Sequence, residues 1–291
     1  MPIKNFNQEI IGVFQVLNKF DEYFTPDDED LLIAIASSAG ISLENAQLFE
    51  RQRKLLEEQK VVLDSFIETL ATSIDARDKI TSGHSSRVKM YSSLIAQEFG
   101  MEKNDLYILE KAAALHDIGK IGIRDSVLQK EGKLTPEEYK HIQQHVEITH
   151  HILEKIHMSE DFKQITEIAC SHHEKFDGTG YYRHLKGEEI PFGGRILAVS
   201  DVFDAITSKR HYRDKMPIEK VIDIIKNGAG SHFDPLVVDK FLDIKLSKIV
   251  GVFITENHMV IDKEDLVTLE KYNLLDLYYS IAVSYTHLTL P

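Results

Sequence analysis

The chain of 291 residues has no tryptophan and one cysteine, Cys170. A lone thiol closes no internal disulfide, so the sequence fits a reducing, cytoplasmic setting, with Cys170 read as a small buried apolar residue. No run of about 18 consecutive apolar residues occurs, and the first residues lack the basic-then-apolar order of a signal sequence. No membrane segment is therefore expected. Positive charge is also short: 34 Lys and Arg stand against 47 Asp and Glu, a net charge of −13. That excludes a broad basic face for polymeric nucleic acid, yet a few cations in one pocket suffice for a small anion. What remains is an ordinary globular mixture, 43% hydrophobic and 28% charged, with fourteen unevenly placed histidines that direct the search toward metal ligands.

Residues 1–47 read as the end of an α/β unit. Ile10 to Leu17 has a strand pattern, and Thr25-Pro26-Asp27-Asp28 opens a helix with Thr25 as N-cap and Asp28 in the capping-box place. The run Gly12 to Lys19, with Phe24-Thr25 and Glu44-Asn45-Ala46, resembles the last third of a GAF sensor domain. A strand and a helix cannot bury a core alone, so the expectation is a truncated sensor. From Leu43 to Ile74 there is neither Pro nor Gly, and Leu48, Leu55 and Val62 recur every seven residues. Gln52, Gln59 and Phe66 fill the alternate seam sites, so residues 48–74 read as a linker helix able to form an adjustable coiled coil and a homodimer.

Helical patterns then cover 84–99, 104–118, 136–156, 161–174, 193–209, 217–228 and 235–243, broken by a Gly- and aromatic-rich loop at 175–194. Thr135-Pro136-Glu137-Glu138 is a helix start. Residues 244–283 form an extension in which Ile249–Thr255 reads as a strand and Lys263–Leu277 as a helix. The tail 284–291 matches nothing upstream and is set aside as non-native.

His116-Asp117 closes an apolar helix and precedes Gly119-Lys120. Neighbours on a helix differ by about 100° in direction, so His and Asp can face one cavity from different angles. His84 begins a helix, His145 lies within one, and His172-His173 ends another. Asp201 sits in the apolar run Ile196 to Ala205, where an unpaired carboxylate would be costly and one on a cation is sensible. Imidazole and carboxylate together suit Mn, Fe, Ni or Zn rather than Ca.

In order and approximate spacing these residues resemble the HD-GYP family, as do Asp177-Gly178-Thr179-Gly180-Tyr181, Gly187-Glu188, Ile190-Pro191 and Asp201 to Ser208. The resemblance covers 75–243 and implies a mainly α fold: a helical HD-domain bundle with a buried metal centre, behind the α/β fragment and the linker helix. It implies hydrolysis of cyclic di-GMP to pGpG, and on to GMP, with a metal pair activating water. Two divalent ions are expected, Fe or Mn before Ni or Zn, because Ile80 stands where three-metal members carry Glu. Asp117 would bridge, with His84, His116 and Asp201 on one side and His145, His172 and His173 on the other. Lys120 is assigned to the scissile phosphate. Arg210 and Arg213, with Gly180 and Tyr181, are assigned to the dinucleotide; Asp177 is assigned to loop support or to the substrate, and Asp204 to support behind the ligands or to the substrate. Glu174 would orient a ligand histidine. Tyr182 replaces the usual Pro and frees the loop. The rival readings are an inactive dinucleotide receptor, another HD-type nucleotide hydrolase, and hydrolysis of a mixed cyclic GMP-AMP.

Overall fold

The structure is a computed structural model, and it describes all residues except 21–22, 78–82, 157–159, 209–215, 258–260 and 281–291. The chain divides into two compact units, 1–65 and 66–291. In the first, strands β1 (Pro2–Lys4) and β2 (Ile10–Val13) form an antiparallel hairpin with Ile3 opposite Gly12. The strand expected over 10–17 is thus shorter. Helix α1 (Pro26–Arg77) runs unbroken for 52 residues, because no Pro interrupts it after the first turn. Its start is held as expected: Asp28 accepts from the Thr25 backbone N–H at 2.7 Å and from the Thr25 hydroxyl at 2.8 Å. The hairpin seats against Gly40, where a Cβ would meet the Lys4 carbonyl at 2.3 Å. One correction concerns membranes: a largely exposed stretch of α1 is long and apolar enough to cross one by length and composition. The hairpin packed at Gly40 accounts for part of that apolar face.

The second unit is a helical bundle: α2 (His84–Glu98), α3 (Lys103–Leu115), a 3-10 turn (Ile118–Gly122), α4 (Asp125–Leu128), α5 (Pro136–Leu153) and α6 (Glu160–Ala169) come first. After the structured loop follow α7 (Phe192–Thr207), α8 (Ile218–Asn227), α9 (Pro235–Leu242), α10 (Leu246–Asn257) and α11 (Lys263–Leu269). Thr135 and Glu138 complete the capping box of α5 in both directions. The core joins Tyr91 and Ile95 of α2, Leu109 of α3, Val199 and Phe203 of α7, and Phe241 of α9, with the Tyr91 and Phe203 rings edge to face at 4.9 Å.

Two readings of the C-terminal part are corrected. Ile249–Thr255 is helical, within α10, because Leu246, Ile249 and Val252 share one buried face. Their β-branched composition favours a strand, and packing overrides it. Lys263–Leu277 does not form one helix: α11 stops at Leu269, and Leu246 N–H donates to the Tyr272 carbonyl at 2.9 Å. Ile244, Leu246, Ile249, Val252 and Leu274 all belong to the main core, so the expected boundary at 243 cuts through it.

Candidate metal centre

All seven sequence-predicted ligands are brought together, from five places in the bundle. His84 opens α2, His116 and Asp117 follow α3, His145 lies in α5, His172 and His173 follow α6, and Asp201 lies in α7. Single ligand atoms of His84, His116 and Asp201 lie within 4.8 Å of one another, as do those of His145, His172 and His173. A third such set, His116, Asp117 and His172, spans the other two. Asp117 lies between: Oδ1 is 3.4 Å from His145 Nε2, and Oδ2 is 3.4 Å from His116 Nε2.

The histidine rings are held by their far nitrogens. Nδ1 of His116, His145 and His172 donates to the carbonyls of Ala113, Ile142 and Ala169 at 2.7, 2.6 and 2.6 Å. A carbonyl only accepts, so each of these Nδ1 atoms carries a proton and each ring turns its Nε2 toward the other candidate ligands. His145 and His172 then face each other Nε2 to Nε2 at 3.2 Å. Acceptors pointed at acceptors need a cation between or beside them. The donor set therefore fits divalent transition metals, with His84, His116, Asp117, His145, His172, His173 and Asp201 able to hold them.

Protonation follows the same division. Burial holds His145 and His172 below the usual imidazole range, and desolvation beside His145 pushes the half-buried His173 down to about 3. These rings are neutral, as metal ligation requires. His84 goes the other way. Burial opposes its charge, but hydrogen bonds with Asp201 and Asp204 outweigh it and push the ring up to about 10. Asp117 and Asp201 stay ionised despite burial, Asp117 beside Lys120 and the histidines, Asp201 beside His84. Lys120 Nζ is 2.7 Å from Asp117 Oδ2, so its charge does lie at the centre.

The other expected site residues are less uniform. Tyr181 packs on His173 with ring centroids 4.8 Å apart. Of the two expected roles of Asp204, its contacts match support: it is buried and accepts from His84 Nδ1 at 2.8 Å and from Arg87 Nε at 2.6 Å. Asp177 supports the loop, since its Oδ1 accepts from Thr179 N–H and hydroxyl at 2.8 and 2.7 Å and closes a turn. Gly180 serves packing, because a Cβ there would lie 2.3 Å from the Lys175 nitrogen. Glu174 orients no histidine; it accepts the backbone N–H groups of Arg183 and Leu185 at 2.7 and 3.1 Å and so anchors the loop. Ile80, Arg210 and Arg213 lie outside the described residues. Cys170 is buried, which pushes its thiol up to about 12 and keeps it inert.

Sequence reasoning gave Arg87 and Thr149 no role. Arg87 lies three residues after His84, as Asp204 lies three after Asp201, so helical spacing could have paired them. Thr149 donates to the His116 carbonyl at 3.1 Å and accepts from Gly119 N–H at 3.0 Å, a bond with no local sequence signal.

A family model described as an HD domain matches residues 68–237, and the chain belongs to that family. It is similar to the 3'3'-cGAMP-specific phosphodiesterase 2 of Vibrio cholerae, at 35% identity over 82% of this chain and 44% of the relative. Similarity to a cyclic di-GMP phosphodiesterase of Thermotoga maritima is 42% identity over 62% of this chain and 48% of that protein. The 3'3'-cGAMP-specific phosphodiesterase 3 of Vibrio cholerae is 40% identical over 59% of this chain and 38% of its own length. The chain thus spans half or less of these relatives.

Proposed function

We propose that the chain is a metal-dependent phosphodiesterase of the HD-GYP type that opens cyclic di-GMP to linear pGpG and then GMP. The observation that carries this reading is the pair of histidine-rich ligand groups meeting at Asp117. Two divalent ions, when bound, supply Lewis-acid charge for phosphoryl oxygens and ease the loss of a proton from water. The protein's own part is to aim their ligands, with His145, His172 and His173 neutral and Asp117 and Asp201 ionised, and to keep the Lys120 cation beside Asp117. There it would meet negative charge that grows on the phosphate in the transition state. Tyr181 would wall the pocket on the His173 side. Arg210 and Arg213 remain proposed dinucleotide contacts. The hairpin with the first half of α1 is proposed as the end of a GAF domain. Leu48, Leu55 and Val62 of α1 are exposed and are proposed as a homodimer seam.

A second substrate, 3'3'-cyclic GMP-AMP, is supported by the names of two relatives. The test is anaerobic reconstitution with Mn or Fe, followed by product analysis with each cyclic dinucleotide. Asp117→Ala is expected to lose both bound metal and turnover. Binding of dinucleotide without turnover by the metal-replete wild type would replace the enzyme by a receptor. Normal metal content and normal rate in Asp117→Ala would overturn the site.

A further inference from the structure

The last turn of α1 hydrogen-bonds two segments that neighbour candidate ligands, the turn after His116-Asp117 and the start of α2. Arg77 ends the helix. Its guanidinium donates Nη1 to the carbonyls of Lys120 and Ile121 at 2.8 and 2.7 Å, and Nη2 to that of Ile123 at 2.6 Å. Nε donates to Asp125 at 3.0 Å, and the Arg77 carbonyl accepts from the Gln129 side chain at 3.2 Å. One planar cation therefore gathers the carbonyls of the turn that follows His116-Asp117 and carries Lys120. A lysine, with a single compact head, cannot span that set.

Two residues earlier, Asp75 serves the other segment. Its carboxylate accepts the Ser85 backbone N–H at 3.0 Å and the Ser85 hydroxyl at 2.9 Å. Helix α2 begins at His84 behind Gly83, which has no side chain to cap it. Asp75 thus supplies from another helix the acceptor that the first turn of α2 lacks. Both contacts go to the backbone that sets where Lys120 and His84 sit, and neither goes to a metal-facing atom.

We infer that the final turn of α1 is the positioning element of the site, with Arg77 placing Lys120 and Asp75 placing His84. Any displacement of that helix end moves both segments together. The catalytic consequence rests on the phosphodiesterase reading, whereas the positional one does not.

Two measurements on the full chain separate these parts. In metal-free Arg77→Ala, amide hydrogen exchange across 118–123 is expected to quicken by about tenfold or more while α8 and α9 keep their protection. Asp75→Ala should do the same at Ser85 and Ser86. In the metal-loaded protein, Arg77→Ala should keep its metal and lower kcat on the order of 10–10²-fold, with KM nearly unmoved, as for a misplaced catalytic group. Arg77→Lys should not rescue it. In a Lys120→Ala background the Arg77→Ala loss should vanish, because one residue acts through the other. Unchanged exchange at 118–123, or kcat losses that multiply in the double variant, would overturn the inference. If Arg77→Ala does not fold, Arg77→Lys supports the same comparisons. Loosened amides in a chain whose wild type turns nothing over would sink the function reading and leave the positioning intact.

Discussion

The seven candidate ligands differ in what a proton must do before metal can bind. His145 and His172 are buried, His173 is half-buried, and all three are already neutral, so they surrender nothing near pH 7. His84 is pushed up to about 10 by its two carboxylates, so its Nε2 proton occupies a cation's place. Metal uptake should therefore release about one proton, and affinity should rise roughly tenfold per pH unit through neutrality. Calorimetry in buffers of different ionisation enthalpy reads that number directly. Zero release would mean that His84 is neutral before metal arrives. The same raised value gives a stability trend in the metal-free chain. The contribution of His84 is complete below its ordinary 6.5 and is lost as pH climbs through about 10. The convergence of the seven candidate ligands was legible from residue type, order and approximate spacing. The support was not: the carbonyls under the rings leave no trace in side-chain identity, and Asp204 and Arg87 show only as i, i+3 partners. Gly119 belongs with them. A Cβ there would stand 1.9 Å from the His145 carbonyl oxygen and 2.5 Å from the Thr149 nitrogen. Gly119→Ala should cost about 1–3 kcal/mol by overpacking and weaken metal binding by parting Asp117 from His145. Thermal melting and a metal titration check both halves; an unchanged melt would mean the turn can back away freely.

Among elements, those with a sharp start or stop were the most legible. Thr135-Pro136 and its Glu138 partner announce α5, and the structure closes that capping box. The weak cases were short apolar runs, where helix and strand patterns coincide. In Ile249 to Thr255 the β-branched side chains argue for a strand. Burial of Leu246, Ile249 and Val252 along one helical face decides otherwise. Gly251 lies inside that helix, and a Cβ there would meet no atom within 4 Å. Replacing it with Ala should therefore stabilise the protein, by about 0.5–1 kcal/mol, through lower unfolded-chain entropy and better helix propensity. A lower melting temperature in Gly251→Ala would argue that the segment is not a packed helix with free space at that site.

At the scale of the whole chain, the order of parts was legible and one boundary was not. The long Pro- and Gly-free stretch foretold the second half of α1, and the helical periodicities with the HD-GYP resemblance foretold a helical bundle. The end of the bundle was misjudged because the motifs stop near Arg213 while the core does not. Motifs mark chemistry; burial marks the domain. Ile244, Leu246, Ile249, Val252 and Leu274 follow the last motif, and each is at most 8% exposed. They cover one side of a core whose other members include Tyr91, Val199 and Phe241. Each such side chain stabilises by about 1.5–3 kcal/mol on burial, so together they contribute roughly 8–15 kcal/mol. That is comparable to the entire net stability of an ordinary domain, about 5–15 kcal/mol. A chain ending at Asp243 should therefore fail to fold, although it keeps every candidate ligand. One ending at Ser280 should melt cooperatively and take up metal. Expression of both, with solubility, calorimetry and elemental analysis, sets the two against each other. If the chain ending at Asp243 were soluble, cooperative and metal-replete, the C-terminal helices would be ornament to the centre, and the domain would end where its motifs do.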